Sequence, residues 1–177
     1  IHAYDGGLFN NGATGVIQVN RANPNWWSKG IRVASSAVFN NSGLIQLGNL
    51  TTNTIGLGVE DGGSFINLAD GIIHSANALN HAVFVNQTGS SFLNQGDLLI
   101  GADGNPIENG ILIQSNSSFT NDVNGSIEIN RANLQWWSKS IAVISAAFTN
   151  SGSIQIGNLS LCSFGIHGEG ASILNNN

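Results

Sequence analysis

Two pairs of tryptophans, Trp26-Trp27 and Trp136-Trp137, are the residues of this 177-residue chain best equipped for recognition chemistry. They lie in NRANPNWWSK (20 to 29) and NRANLQWWSK (130 to 139), so Arg21 and Lys29 recur as Arg131 and Lys139. An indole offers a flat face to a sugar ring or a guanidinium, and Trp and Arg dominate the hot spots of protein interfaces. Adjacent residues in an extended segment point opposite ways, so one surface does not easily hide both rings. The plainer use of the same residues is structural: one ring of each pair folds onto the body of the protein with an arginine stacked on it. All five basic residues, Arg21, Lys29, Arg32, Arg131 and Lys139, belong to these segments or their flanks.

Catalytic arrangements are weaker. Polysaccharide cleavage needs paired carboxylates or a carboxylate beside a cation. The nearest candidate is Asp70 with Asp97, beside Gly71 and Gly96, joined by Asp103 and Glu108. These are ordinary turn residues, and the cations lie elsewhere. His2, His74, His81 and His167 have no ligand spacing and read as surface residues, and no serine elbow, P-loop or calcium nonapeptide occurs. No cofactor and no metal are expected, and the chain reads as a non-enzyme. The single Cys162 excludes an intramolecular disulfide. A net charge of −5 gives no basic surplus for a nucleic acid, and no apolar run is long enough to span a bilayer.

The elements that must position these residues follow from a repeat. Phenylalanines at 9, 39, 65, 92, 119 and 148, with Ile173 in the seventh place, recur every 25 to 30 residues. Such a period indicates stacked units. Two residues after each lies an asparagine: Asn11, Asn41, Asn67, Asn94, Asn121, Asn150 and Asn175. Glycine follows, then an alternating apolar pair such as Ile45/Leu47 or Ile127/Ile129, then a polar segment of variable length. A second alternating pair comes next, read as Ile31/Val33, Ile55/Leu57, Val83/Val85, Ile111/Ile113 and Ile141/Val143. Period two means strands with one buried face, and no segment keeps helical spacing over three turns. The chain reads as an all-β parallel β-helix, a β-solenoid of about six coils with two to three short strands per coil. In-register stacking at about 4.8 Å predicts an asparagine ladder at a tight turn, with asparagine tolerating left-handed backbone there.

A longer period is superimposed. Arg21 to Arg131 and Trp26 to Trp136 are both 110 residues, so four coils make one superrepeat and the paired segments lie about 19 Å apart on one side. The chain has no methionine, and both termini fall inside the repeat pattern. It is expected to be a single solenoid segment, residues 1–177, of a longer repeat protein.

The F-x-N-x-G-x-I-x-I pattern, as in FNNSGLIQL and FTNSGSIQI, resembles the repeats of large secreted bacterial surface proteins of the filamentous haemagglutinin and autotransporter-adhesin type. That resemblance implies a right-handed β-helix and an extracellular, non-enzymatic rod used for attachment or for building surface fibres. The tryptophan pairs are not part of it. Their partners are expected to be surface glycans or other copies of the chain. Alternatives are a polysaccharide-binding or polysaccharide-cleaving β-helix and an ice-binding solenoid. The outward residues Gln18, Gln46, His74, Leu99, Glu128 and Gln155 are too mixed for the regular rows that ice requires.

Overall fold

The computed structural model describes residues 1–19, 28–48, 55–75, 81–101, 109–130, 139–157 and 164–177. The tryptophan pairs, Arg21, Arg131, Asp103, Glu108 and Cys162 lie outside the described residues.

The architecture is a parallel β-solenoid. Among the described residues there is no helix, and the strands form three parallel sheets. Sheet 1 has seven strands, from His2–Ala3 to Phe164–Glu169; sheet 2 has seven, from Leu8–Asn11 to Ile173–Asn176; sheet 3 has six, from Val16–Val19 to Ser153–Ile156. The chain visits sheets 1, 2 and 3 in turn and then returns to sheet 1 one level further along, so each repeat is one coil.

The core is built of columns, because in-register pairing puts identical residue types directly above one another. The rings of Phe9, Phe39, Phe65, Phe92 and Phe119 stack at centroid distances of 4.6 to 5.0 Å, and Phe148 continues the column at 5.7 Å with a tilt. Phe39, Phe65, Phe92 and Phe119 are essentially inaccessible to solvent, as are the aliphatic columns that run through Ile45 and Ile73 in sheet 3 and through Ile31 and Leu57 in sheet 1.

Sheet 2, like sheet 3, is built of four-residue strands paired residue for residue, here over all seven levels. Its inward positions carry the phenylalanines and asparagines. Its outward positions form two half-buried columns, Val38, Ser64, Ser91, Ser118 and Ala147 in one and Asn40, Ile66, Leu93, Thr120 and Thr149 in the other.

Three expectations are corrected. First, the seventh level is shifted by one residue: Phe148 pairs with Leu174, and Asn150 pairs with Asn176, so Ile173 and Asn175 face outward. The sequence ILNN permits either phase, and the core selects the one that places the leucine under the phenylalanine column.

Second, the inward pair of the second coil in sheet 1 is Leu57/Val59, in register with Ile31/Val33 and Val83/Val85. Ile55 belongs to a separate apolar cluster with Phe84, Leu112 and Ala142. Strict alternation back from Leu57 points Ile55 inward. The sheet gains one inward residue at that corner, because Ala82 and Val83 are consecutive and both in the core, and the ladder passes over Gly30 and Gly56. That extra residue reverses the phase of everything before it.

Third, the left-handed backbone is not at the asparagine ladder. Among the described residues it lies, apart from Gly101 just after sheet 3, at the corner between sheets 1 and 2, at Asp5, Ser35, Asp61, Gln87, Asn116 and Ser145 among others.

The glycines after the ladder are required by space instead. A Cβ on Gly71 would lie 2.3 Å from Asn67 Oδ1 and 2.5 Å from the Asn41 carbonyl oxygen, and one on Gly43 would lie 2.3 Å from the Gly15 oxygen.

Candidate contact surface

The residues that anchor the tryptophan segments are described even though the segments are not. The first segment leaves sheet 3 after Val19 and joins sheet 1 at Lys29; the second leaves after Ile129 and joins at Lys139. Val16–Val19 and Ser126–Ile129 are four strands apart in sheet 3, and Lys29–Val33 and Lys139–Ile144 are four strands apart in sheet 1. Both segments therefore attach at the same corner of the rod, about 19 Å apart at the usual strand spacing of about 4.8 Å.

At the first anchor a charge cluster appears that the sequence pattern did not suggest. Lys29 Nζ lies 3.1 Å from Glu60 Oε1, Arg32 Nε donates to Glu60 Oε2 at 2.9 Å, and Arg32 also reaches Asp61 at 3.3 Å. The Lys29 and Glu60 side chains are only 9% and 10% exposed, so this lysine faces Glu60 rather than a partner in solution. Its aliphatic stem crosses Gly58 on the next coil, where a Cβ would fall 2.6 Å from Lys29 Cδ. The extra inward residue at this corner is what turns both Lys29 and Arg32 outward, three residues apart, toward one carboxylate. Laying VEDGG of the second coil under the first places Glu60 one level from both cations, a signal that repeat alignment contains and residue counting does not.

Four coils on, the arrangement differs. The position of Gly58 is taken by His167, that of Glu60 by Glu169 and that of Arg32 by Ala142, and His167 Nε2 lies 3.7 Å from Glu169 Oε2. Lys139 is half-buried in register with Phe164.

The remaining sequence candidates do not assemble. Asp97 is in register with Ile72 rather than Asp70, and its carboxylate accepts a hydrogen bond from the Ser126 hydroxyl at 2.7 Å. His74 sits between Gln46 and Leu99 on the outer side of sheet 3, and its Nε2 is buried without a hydrogen-bond partner. His81 stacks on Phe84 at 5.5 Å, and His2 lies beside Tyr4 at 5.2 Å. Among the described residues no cluster of three or more His, Cys, Asp or Glu side chains could hold a metal ion, and no helix is long and apolar enough to cross a membrane.

The asparagine ladder is structural. Each Nδ2 donates to the Oδ1 of the next coil, at 2.8 to 2.9 Å, in an unbroken series from Asn11 through Asn41, Asn67, Asn94, Asn121 and Asn150 to Asn176. Asn67 also donates to the carbonyls of Gly71 and Asp97.

The fold and its columns define the chain as a repeat protein of the parallel β-solenoid class. Comparisons with protein-family models, with curated proteins and with solved structures find no match to it.

Proposed function

We propose that the chain is a non-enzymatic rod segment of an extracellular surface fibre or adhesin, in which the solenoid supplies length and stiffness and the tryptophan segments supply contacts. The reading is carried by one observation: strand order places the anchors of the two segments at the same corner of the rod, four coils apart. A weak contact repeated at fixed spacing on a rigid support binds with avidity, because the second engagement is intramolecular. Arg21, Trp26 and Trp27, with Arg131, Trp136 and Trp137, are the proposed contact residues. Lys29 serves instead as an anchor through Glu60, and Lys139 stands at the corresponding start of a strand. The resemblance of the coil pattern to filamentous haemagglutinin and autotransporter-adhesin repeats supports the surface location. The partner is a surface glycan, through ring stacking on indole, or an acidic face of a neighbouring rod.

The test is the fourfold variant Trp26→Ala, Trp27→Ala, Trp136→Ala, Trp137→Ala, followed by circular dichroism, glycan-array binding and electron microscopy. Retained strand content with loss of glycan attachment or of rod bundling supports contact, and the two losses separate the partners. Unfolding, or full retention of both activities, overturns the reading.

A further inference from the structure

The outward face of sheet 2 carries no charged residue at any of its seven levels. The other faces differ: sheet 3 presents Asp97 and Glu128, and sheet 1 presents the Lys29, Arg32 and Glu60 cluster. In a chain of net charge −5, two copies meeting at random repel, and sheet 2 is the face on which they meet without apposing acids. Charge depletion is also the compositional mark of the core of a protein interface.

Its relief is ordered as well. Over the middle of the rod one outward column is small, with Ser64, Ser91 and Ser118, while the parallel column two residues on is larger, with Ile66, Leu93 and Thr120. Over these levels the face is thus a groove beside a ridge, both running along the rod axis, whereas Leu8, Val38 and Ile173 fill the groove column at the first, second and last levels. A two-fold axis parallel to the rod sets the ridge of one copy over the groove of the other. A two-fold axis perpendicular to the rod, giving antiparallel rods, would set ridge on ridge.

We infer that the sheet 2 face is a self-association surface on which a second copy of this chain packs sheet to sheet, rods parallel. This does not rest on the tryptophan contacts. With seven strands about 4.8 Å apart and four residues wide, the face offers roughly 400 Å² per copy. That lies below the roughly 600 Å² per partner of the smallest stable interfaces, so this segment pairs weakly, and every added coil enlarges the contact by about 60 Å² per copy.

Sedimentation velocity of residues 1–177 up to about 1 mM should show a reversible dimer whose population rises with concentration. Ser91→Glu with Ser118→Glu, both outward, should weaken it at least about tenfold. Gln46→Glu with Leu99→Glu, which adds the same charge on sheet 3, should leave it unchanged. Parallel packing is read by disulfide trapping in a Cys162→Ser background: a mixture of Ser91→Cys and Leu93→Cys copies should give mainly the mixed disulfide. A wild-type chain that stays monomeric, equal losses in the two charge variants, or a predominance of like-with-like disulfides would overturn the inference. Dimerisation that survives the Glu substitutions and disappears in the tryptophan variant would refute this face while supporting the tryptophan contacts.

Discussion

At the scale of single residues, the asparagine column shows how a polar group earns a place in a core. Asn41, Asn67, Asn94 and Asn121 are fully buried, and burial of an unpaired amide costs about 1–3 kcal/mol per group. Each amide here has a partner above and below. Asn94→Ala leaves the donor of Asn67 without its acceptor and the Oδ1 of Asn121 without its donor, so a loss of about 2–4 kcal/mol is expected by denaturant titration. The glycines make a sharper pair of tests. Gly71→Ala collides with the ladder and with backbone of the coil before, and should cost more than about 3 kcal/mol. Gly62→Ala meets only Ser36 Oγ, at an ordinary contact distance of 3.7 Å, at φ +73°, and should cost the left-handed penalty of about 1–2 kcal/mol. Asp122 supplies a pH test. The Gln95 side-chain amide, and then the Val123 backbone N–H, hold its carboxyl below the ordinary value of 3.8, against a small opposing effect of burial. A depressed folded pKa means that this contribution to stability is complete above about pH 3.8 and is lost as pH falls through the lower folded value. An NMR titration should therefore place the Asp122 midpoint below 3.8, and Gln95→Ala should move it upward.

Elements in this fold have no independent stability: a four-residue strand is held only by its neighbours one coil away. The cluster around Glu60 fastens the first two sheet 1 coils of the paired corner to each other. Glu60→Gln removes the carboxylate from a lysine whose side chain is 9% exposed, so thermal unfolding should reveal a loss of about 3 kcal/mol. Arg32→Ala, at a side chain 33% exposed, should cost about 1 kcal/mol or less. The same corner explains a limit of pattern reading. Ile55 looks like a core residue because period two is a property of an unbroken strand, and one extra inward residue at a turn inverts it. Gly30 and Gly56 mark that turn, since a Cβ on Gly56 would reach within 3.0 Å of Leu47 Cδ1 and 2.7 Å of the Ala82 oxygen.

For the whole molecule, stability is a sum over coils and the interfaces between them, as in other linear repeat arrays. Substitutions in distant coils should therefore be nearly additive: Phe39→Leu and Phe119→Leu combined should lower stability by the sum of the two within about 0.5 kcal/mol, whereas Phe92→Leu with Phe119→Leu should not. The proposed function belongs to this scale too. A rod carrying contacts at fixed intervals works through their spacing, which the coil rise sets.

The sequence by itself determined that the chain is a stack of coils, which residues form the phenylalanine and asparagine columns over six of the seven levels, and that the basic residues cluster with the tryptophans. It could do so because in-register stacking demands the same residue type at each level, and that demand is written as repetition. Only the tertiary structure decided the phase of ILNN at the seventh level, the outward turn of Ile55, the reason for the glycines and the pairing of Lys29 and Arg32 with Glu60. Each of these depends on what lies one coil away in space, at a sequence distance that varies with the length of the intervening polar segment.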